Sequence, residues 1–188
     1  MVTARGAGDT RARLLEAAAD LVRDQGAGAL TLDAVAAWAG VSKGGLLYHF
    51  PSKRHLVRAL VEHWMDRFEA GVADADDGDP GGFARAYARV SDLESIPGEE
   101  RALEFALLAV LVGEPERLDF VRERYRAWQA RIEADGVGPA AATLVRLAAD
   151  GLWFADLLDL GAPRGEVRER VLARMADLTR AGPTPEPT

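Results

Sequence analysis

Apolar residues along this 188-residue chain recur at spacings of three and four, and no stretch of useful length alternates with a period of two. That pattern predicts an all-α fold. From Thr10, Leu14, Leu15, Ala18, Leu21 and Val22 share one helical face, and residues 1–9 read as a disordered tail. Gly26-Ala27-Gly28 stops this helix, because glycine accepts the left-handed cap. Thr31 is an N-cap candidate for a short second helix through Leu32, Val35, Ala36 and Trp38, with Asp33 in the first turn where a negative charge is favoured. Gly40 ends it, Ser42 caps a third helix through Leu46, Leu47 and Phe50, and Pro51 closes that one. Ser52 caps a longer helix striped by Leu56, Val57, Leu60, Val61, Trp64, Met65 and Phe68.

The stretch 73–82, acidic and containing glycine and proline, is the clearest connector. It is no calcium loop: counted from Asp74, the sixth position is Asp79 instead of glycine and the twelfth is Arg85 instead of Glu. Five helical tracts follow. Phe83 to Leu93 is weakly patterned, and Glu99 to Val112 is almost continuously apolar from Phe105, as a helix buried on most sides would be. Pro115 opens a third tract with Leu118, Val121, Tyr125, Trp128 and Ile132. The last two run from Ala140 to Leu160 and from Gly165 to Arg180, and the Pro-rich residues 182–188 read as a second disordered tail.

Composition removes whole classes of function. There is no cysteine, which excludes disulfides, thiolate catalysis and Cys-ligated metals. The three histidines fall at His49, His55 and His63, without the i, i+4 pairing of a helical zinc motif, and no nucleophile-elbow or phosphate-loop pattern is present. No enzyme, metal or cofactor is expected. No apolar run approaches the roughly 18 residues of a membrane helix, and the N-terminal residues lack a signal peptide's apolar stretch. A cytoplasmic protein with no membrane association is expected. Net charge is −7, yet residues 1–63 sum to +2 and residues 64–188 to −9. A slightly basic head on an acidic body suits a small phosphate-contacting module joined to something else.

The informative block is residues 30–53, LTLDAVAAWAGVSKGGLLYHFPSK. Short helix, glycine-containing turn, second short helix: this is the helix-turn-helix layout, whose second helix enters the DNA major groove. Ala36, Ala37 and Ala39 allow two helices to cross closely, and Val41 and Leu46 fill the space between them. Gly44 and Gly45 each cost about 1 kcal/mol in a helix relative to Ala, which close approach of the backbone to a surface would justify. Lys43 can donate to guanine O6 or N7, and Tyr48 and His49 can donate to phosphate. Ser52-Lys53 joins a helix N-terminus to an ammonium, an anion site.

Thr31, Ala39-Gly40-Val41-Ser42, Tyr48-His49-Phe50 and Ser52-Lys53 make residues 10–56 resemble the DNA-binding domain of the tetracycline-repressor (TetR) family of bacterial regulators. The resemblance implies phosphate contacts for Thr31 and Lys53, base-edge contacts for Lys43, Gly44 and Gly45, and backbone contact or helix support for Tyr48 and His49. With Ser42 these form the expected DNA-binding set. One departure is Leu47, where many members carry a tyrosine; that phosphate contact is then either lost or passed to Tyr48.

The resemblance further implies about nine helices, a homodimer made by the last two long helices, and a ligand cavity in the body. The expected domains are a helix-turn-helix domain at 10–52, a connecting helix at 53–70 and a regulatory and dimerisation domain at 71–181. Dimerisation candidates are Leu144, Ala148, Gly151, Leu152, Ala155, Leu158, Val167, Val171, Met175 and Leu178, apolar or small positions that permit close helix packing. Candidates for the cavity wall are Trp64, Phe68, Phe83, Tyr87, Phe105, Trp128, Trp153 and Phe154, which suit a small apolar or aromatic effector. Asp150 and Asp156 read as solvated or capping groups. The function implied is a ligand-responsive regulator, a repressor, that binds a palindromic operator in double-stranded DNA. Two alternatives stay open: a helical ligand-binding or scaffold protein without specific DNA binding, and an unrecognised enzyme in the body.

Overall fold

The computed structural model describes residues 4–95, 101, 103–105, 107, 108 and 118–180, and among them every regular element is helical. Helix α1 (Ala4–Gln25) starts six residues before Thr10, so residues 4–9 are helical where a disordered tail was expected. Ala4, Arg5 and Ala7 favour this extension while Gly6 and Gly8 oppose it, and each residue added to a nucleated helix gains one hydrogen bond. A 3-10 turn, Ala27–Ala29, follows Gly26, whose φ is +79°. Helix α2 (Leu32–Trp38) and helix α3 (Lys43–His49) come next, joined through Gly40 at φ +66°. Helix α4 (Lys53–Ala75) is the longest of the elements with defined bounds, at 23 residues.

Helix α5 (Gly82–Val90), a 3-10 turn at Leu93–Ser95, α6 (Asp119–Glu133), α7 (Pro139–Leu157) and α8 (Gly165–Leu178) complete the described chain. Residues 101, 103–105, 107 and 108 are also helical. Pro115 and residues 109–112 of the apolar tract lie outside the described residues.

The chain forms two units, residues 1–66 with 97–117, and residues 67–96 with 118–188. The division falls inside α4. Within that first unit Trp64 Nε1 donates to Glu104 Oε1 at 3.0 Å, and Leu103, Glu104 and Leu107 are buried. Its core combines Leu14, Leu21 and Val22 of α1 with Val35, Leu46, Phe50, Leu56 and Leu60, all at 2% exposure or less. The faces expected from periodicity are buried at these positions, whereas Trp38 and Leu47, expected on the same apolar faces of the second and third helices, are exposed at 46% and 36%.

In the second unit α5 is far better patterned than its sequence suggested, with Phe83, Ala84, Ala86, Tyr87 and Ala88 all buried. It packs against α6, α7 and α8, and α7 packs against both α6 and α8. Asp135, just beyond α6, accepts from the N–H groups of Phe83 and Ala84 at 3.2 and 2.8 Å and so caps α5 from 51 residues away. Burial pushes the Asp135 carboxyl pKa up, against the opposing pull of those two N–H groups. Arg168 of α8 is buried between Asp92 and Asp156. Asp156, expected to be solvated, has a fully buried carboxylate, and this ion pair explains how it tolerates burial.

Candidate functional site

Local chemistry builds the helix-turn-helix. Thr31 Oγ1 accepts from Ala34 N–H at 3.1 Å and Ser42 Oγ accepts from Gly45 N–H at 3.1 Å, so both expected N-caps are present. Val41 N–H donates to the Ala36 carbonyl at 3.0 Å, which draws the turn back onto α2. Ser52 Oγ accepts from His55 N–H at 3.4 Å at the start of α4. Leu46 and Phe50 are buried, and they anchor one side of α3 in the core. The opposite side is bare: Lys43, Gly44, Gly45, Leu47 and Tyr48 are exposed, Tyr48 at 80%.

Thr31, Ser42 and Lys53 are also exposed, whereas His49 is half-buried, its ring edge-on to Tyr48 at 5.1 Å. Space around Gly44 is open, and a Cβ there would meet nothing closer than Ser42 Oγ at 4.0 Å. Two glycines leave the backbone of α3 uncovered, as close approach to a surface requires. Lys43 Nζ lies 2.9 and 3.0 Å from the two Asp33 carboxylate oxygens, a link between α2 and α3 that spacing alone did not reveal. Trp38, at the end of α2, is also half exposed.

The aromatic residues of the body divide into several groups. Phe68, Tyr87 and Trp128 come together, with centroids 5.1 Å apart for Phe68–Tyr87 and Phe68–Trp128 and 5.9 Å for Tyr87–Trp128. Tyr125 joins them 4.8 Å from Trp128. Polar groups fasten this cluster: Trp128 Nε1 donates to Glu69 at 2.8 Å, and Tyr87 Oη donates to Asp150 Oδ1 at 2.7 Å. Arg146 Nη1 donates to Asp150 Oδ2 at 2.7 Å and Arg146 Nε to Gln129 at 2.6 Å. Asp150 is therefore a partly buried network member, not the solvated group expected, and burial raises its pKa. Burial pushes the Tyr125 phenol up to about 12 and lifts Tyr87 well above the usual tyrosine range.

The other expected wall residues lie elsewhere. Trp64 and Phe105 belong to the first unit, and Phe105 is half exposed. Phe83 is buried under the Arg131 guanidinium, 4.1 Å from its ring centroid. Trp153 and Phe154 pair with each other at 6.1 Å, and Phe154 is 42% exposed.

Helix α7 carries an apolar stripe open to solvent: Leu144 (58%), Leu147 (52%), Ala148, Gly151 and Phe154. Val167 of α8 is exposed as well, and Ala155, Leu158, Val171 and Leu178 are partly so. Leu152 and Met175 point into the unit's own core, at 8% and 4%, and cannot belong to such a face.

Residues 14–60 match the family of bacterial regulatory proteins called the tetR family, and residues 81–180 match the tetracycline-repressor-like C-terminal domain. The chain belongs to the tetracycline-repressor family. TtgR of Pseudomonas putida, an HTH-type transcriptional regulator, is 34% identical over 86 residues, 44% of this chain and 41% of TtgR. FasR of Mycolicibacterium smegmatis, an HTH-type transcriptional activator, is 39% identical over 67 residues, 36% of this chain and 31% of FasR. These matches span less than half the length of either relative. Among solved structures, SCO7518 from Streptomyces coelicolor A3(2) superposes with a TM-score of 0.72 at 23% identity, covering 92% of this chain and 99% of its own. The multidrug binding protein EbrR in complex with ethidium gives 0.68 at 25% identity, covering 88% of this chain and 97% of EbrR.

The two family matches thus cover both the helix-turn-helix segment and most of the second unit of this tetracycline-repressor-family member. Among its described residues no helix is long and apolar enough to cross a membrane. Sequence reasoning overlooked Asp33 beside Lys43 and Tyr125 beside Trp128. Tyr125 was already on the apolar stripe of its helix, so its place was legible; the Asp33–Lys43 pair depends on how two short helices cross.

Proposed function

We propose that this chain is a ligand-responsive repressor that grips a palindromic operator as a homodimer and releases it when an effector occupies the body. One observation carries the reading: α3, anchored by buried Leu46 and Phe50, leaves Lys43, Gly44, Gly45 and Tyr48 exposed, and Thr31 and Lys53 are exposed as well. Lys43 reads base edges, Gly44 and Gly45 bring the backbone close, and Thr31, Tyr48 and Lys53 hold phosphates. Ser42 and His49 keep α3 and Tyr48 in position. Few side chains are left for direct base reading, so DNA shape supplies part of the preference.

The exposed stripe Leu144, Leu147, Ala148, Gly151 and Phe154 packs against its own copy, with Val167 beside it. Isologous pairing of that kind matches two half-sites about 34 Å apart. The effector, a small apolar or aromatic molecule, sits against Phe68, Tyr87, Tyr125 and Trp128; ethidium bound to EbrR is a ligand of this class. Residues 10–52 are the DNA-binding domain and 71–181 the regulatory one. Helix α4 carries both Lys53 and Phe68, so a shift at the aromatic cluster reaches the DNA-binding end through one helix. Coupling of about 1–3 kcal/mol, or roughly 5- to 150-fold in operator affinity, is what such switches deliver. The test is a panel of aromatic ligands added to a protein–operator complex and followed by anisotropy. Release within that range supports the reading; ligand binding with unchanged operator affinity contradicts it.

A further inference from the structure

A groove of about 390 Å³ opens in the second unit, within the size range of small-molecule sites and apart from the aromatic cluster. Its apolar floor comes from three helices: Ala88 of α5, Val145 of α7, and Leu172, Met175 and Ala176 of α8. Its polar rim carries Arg85, Arg89 and Arg180 against Asp77 and Asp92. Both carboxylates are already engaged. Arg85 Nη2 holds the two Asp77 oxygens at 2.9 Å each, which lowers the Asp77 pKa, and Asp92 pairs with buried Arg168.

Two cations remain in excess. Arg89 donates only to the Ala75 carbonyl, at 2.7 Å, and has no carboxylate partner among the described residues. That carbonyl belongs to the last turn of α4, which has no intrahelical donor to satisfy it, so the Arg89 guanidinium is held in place with donors to spare. Among the described residues the Arg180 side chain meets the exposed Asp177, at a loose 3.8 Å. Arginine presents a planar fork that suits a carboxylate.

We infer that this groove binds a small amphipathic carboxylic acid, its carboxylate held by Arg89 and Arg180 and its short aliphatic chain laid on the partly open Leu172 and Ala176. A neutral molecule of the same shape would leave both guanidiniums unmatched, and a cation would be repelled. The site differs in charge and place from the aromatic cluster of the proposed effector. It also stands apart from the DNA-binding reading: a chain inert toward DNA would still take up the acid.

The test titrates the full chain with octanoate, octanamide and octylammonium, reading heat of binding and melting temperature. Saturable octanoate binding, at least tenfold tighter than either analogue, is expected. The double variant Arg89→Gln/Arg180→Gln should lose at least tenfold in octanoate affinity with unchanged circular dichroism. Leu172→Trp, which fills the groove and spares both arginines, should lose it too. No octanoate binding, equal affinity for octanamide, or full affinity in both variants would overturn the inference.

Discussion

Lys43 and Lys53 are both exposed lysines near the same surface, yet their positions assign them different work. Lys53 begins α4 and faces a phosphate in the proposed complex, so Lys53→Ala should weaken binding about equally on all duplexes and reduce the salt slope by roughly one. Lys43 leads α3, and Lys43→Ala should cost about 1–3 kcal/mol at one base position and relax preference there. A salt series on matched and mismatched duplexes separates the two outcomes. A residue-scale test of the body uses its phenols. Tyr87 and Tyr125 stay protonated in the folded chain above the ordinary tyrosine pKa near 10, while the unfolded chain ionises there. Between pH 10 and about 12 the folded state therefore binds more protons, and stability should fall as pH rises. Urea unfolding across that interval, with absorbance at 295 nm, checks both signs. The exposed Thr31, Ser42, Lys43 and Lys53 were legible because their motif fixes them locally. The networks of Asp150 and Asp156 were not, because an aspartate on a helix looks the same in sequence whether water or arginine faces it.

Short helices such as α2 and α3, seven residues each, are marginal in isolation and depend on caps and packing. Ser42→Ala removes the oxygen that accepts from Gly45 N–H and should cost about 1 kcal/mol of stability. Restoration by Ser42→Thr in a urea melt would confirm a capping role. In the second unit, Asp135→Ala strips α5 of an acceptor shared by two N–H groups and should destabilise by roughly 1–3 kcal/mol. Gly81→Ala should be worse, because Gly81 has φ +77° and a Cβ there would come within 2.2 Å of the Thr179 carbonyl oxygen. Thermal unfolding of these variants against wild type ranks them. The helices of the N-terminal unit could be read from their periodicity and cap residues. Helix α5 was legible only as a weakly patterned tract: its buried face is built from alanines as much as from Phe83 and Tyr87, and its cap arrives from Asp135 far along the chain. The aromatic positions were misgrouped for a similar reason, since helix spacing says which residues share a face but not which helix that face meets.

For the whole molecule, the acidic body and slightly basic head place favourable charge only where DNA is proposed to bind. The exposed stripe on α7 has the solvent-facing apolar character of an interface waiting for a partner. Leu147→Glu, placed in that stripe, should turn a dimer into a monomer by sedimentation velocity and weaken operator binding while the helical signal stays intact. A wild-type chain that sediments as a monomer at micromolar concentration would remove the second copy from the account. Helix α3 is proposed to deliver sequence-specific binding to double-stranded DNA. Anisotropy of labelled duplexes taken from upstream of the protein's own gene, set against random-sequence duplexes at several salt concentrations, tests this. A saturable, salt-sensitive complex about a thousandfold tighter than the random control is expected. Weak binding of equal strength on every duplex, including a genomic pool, would contradict it.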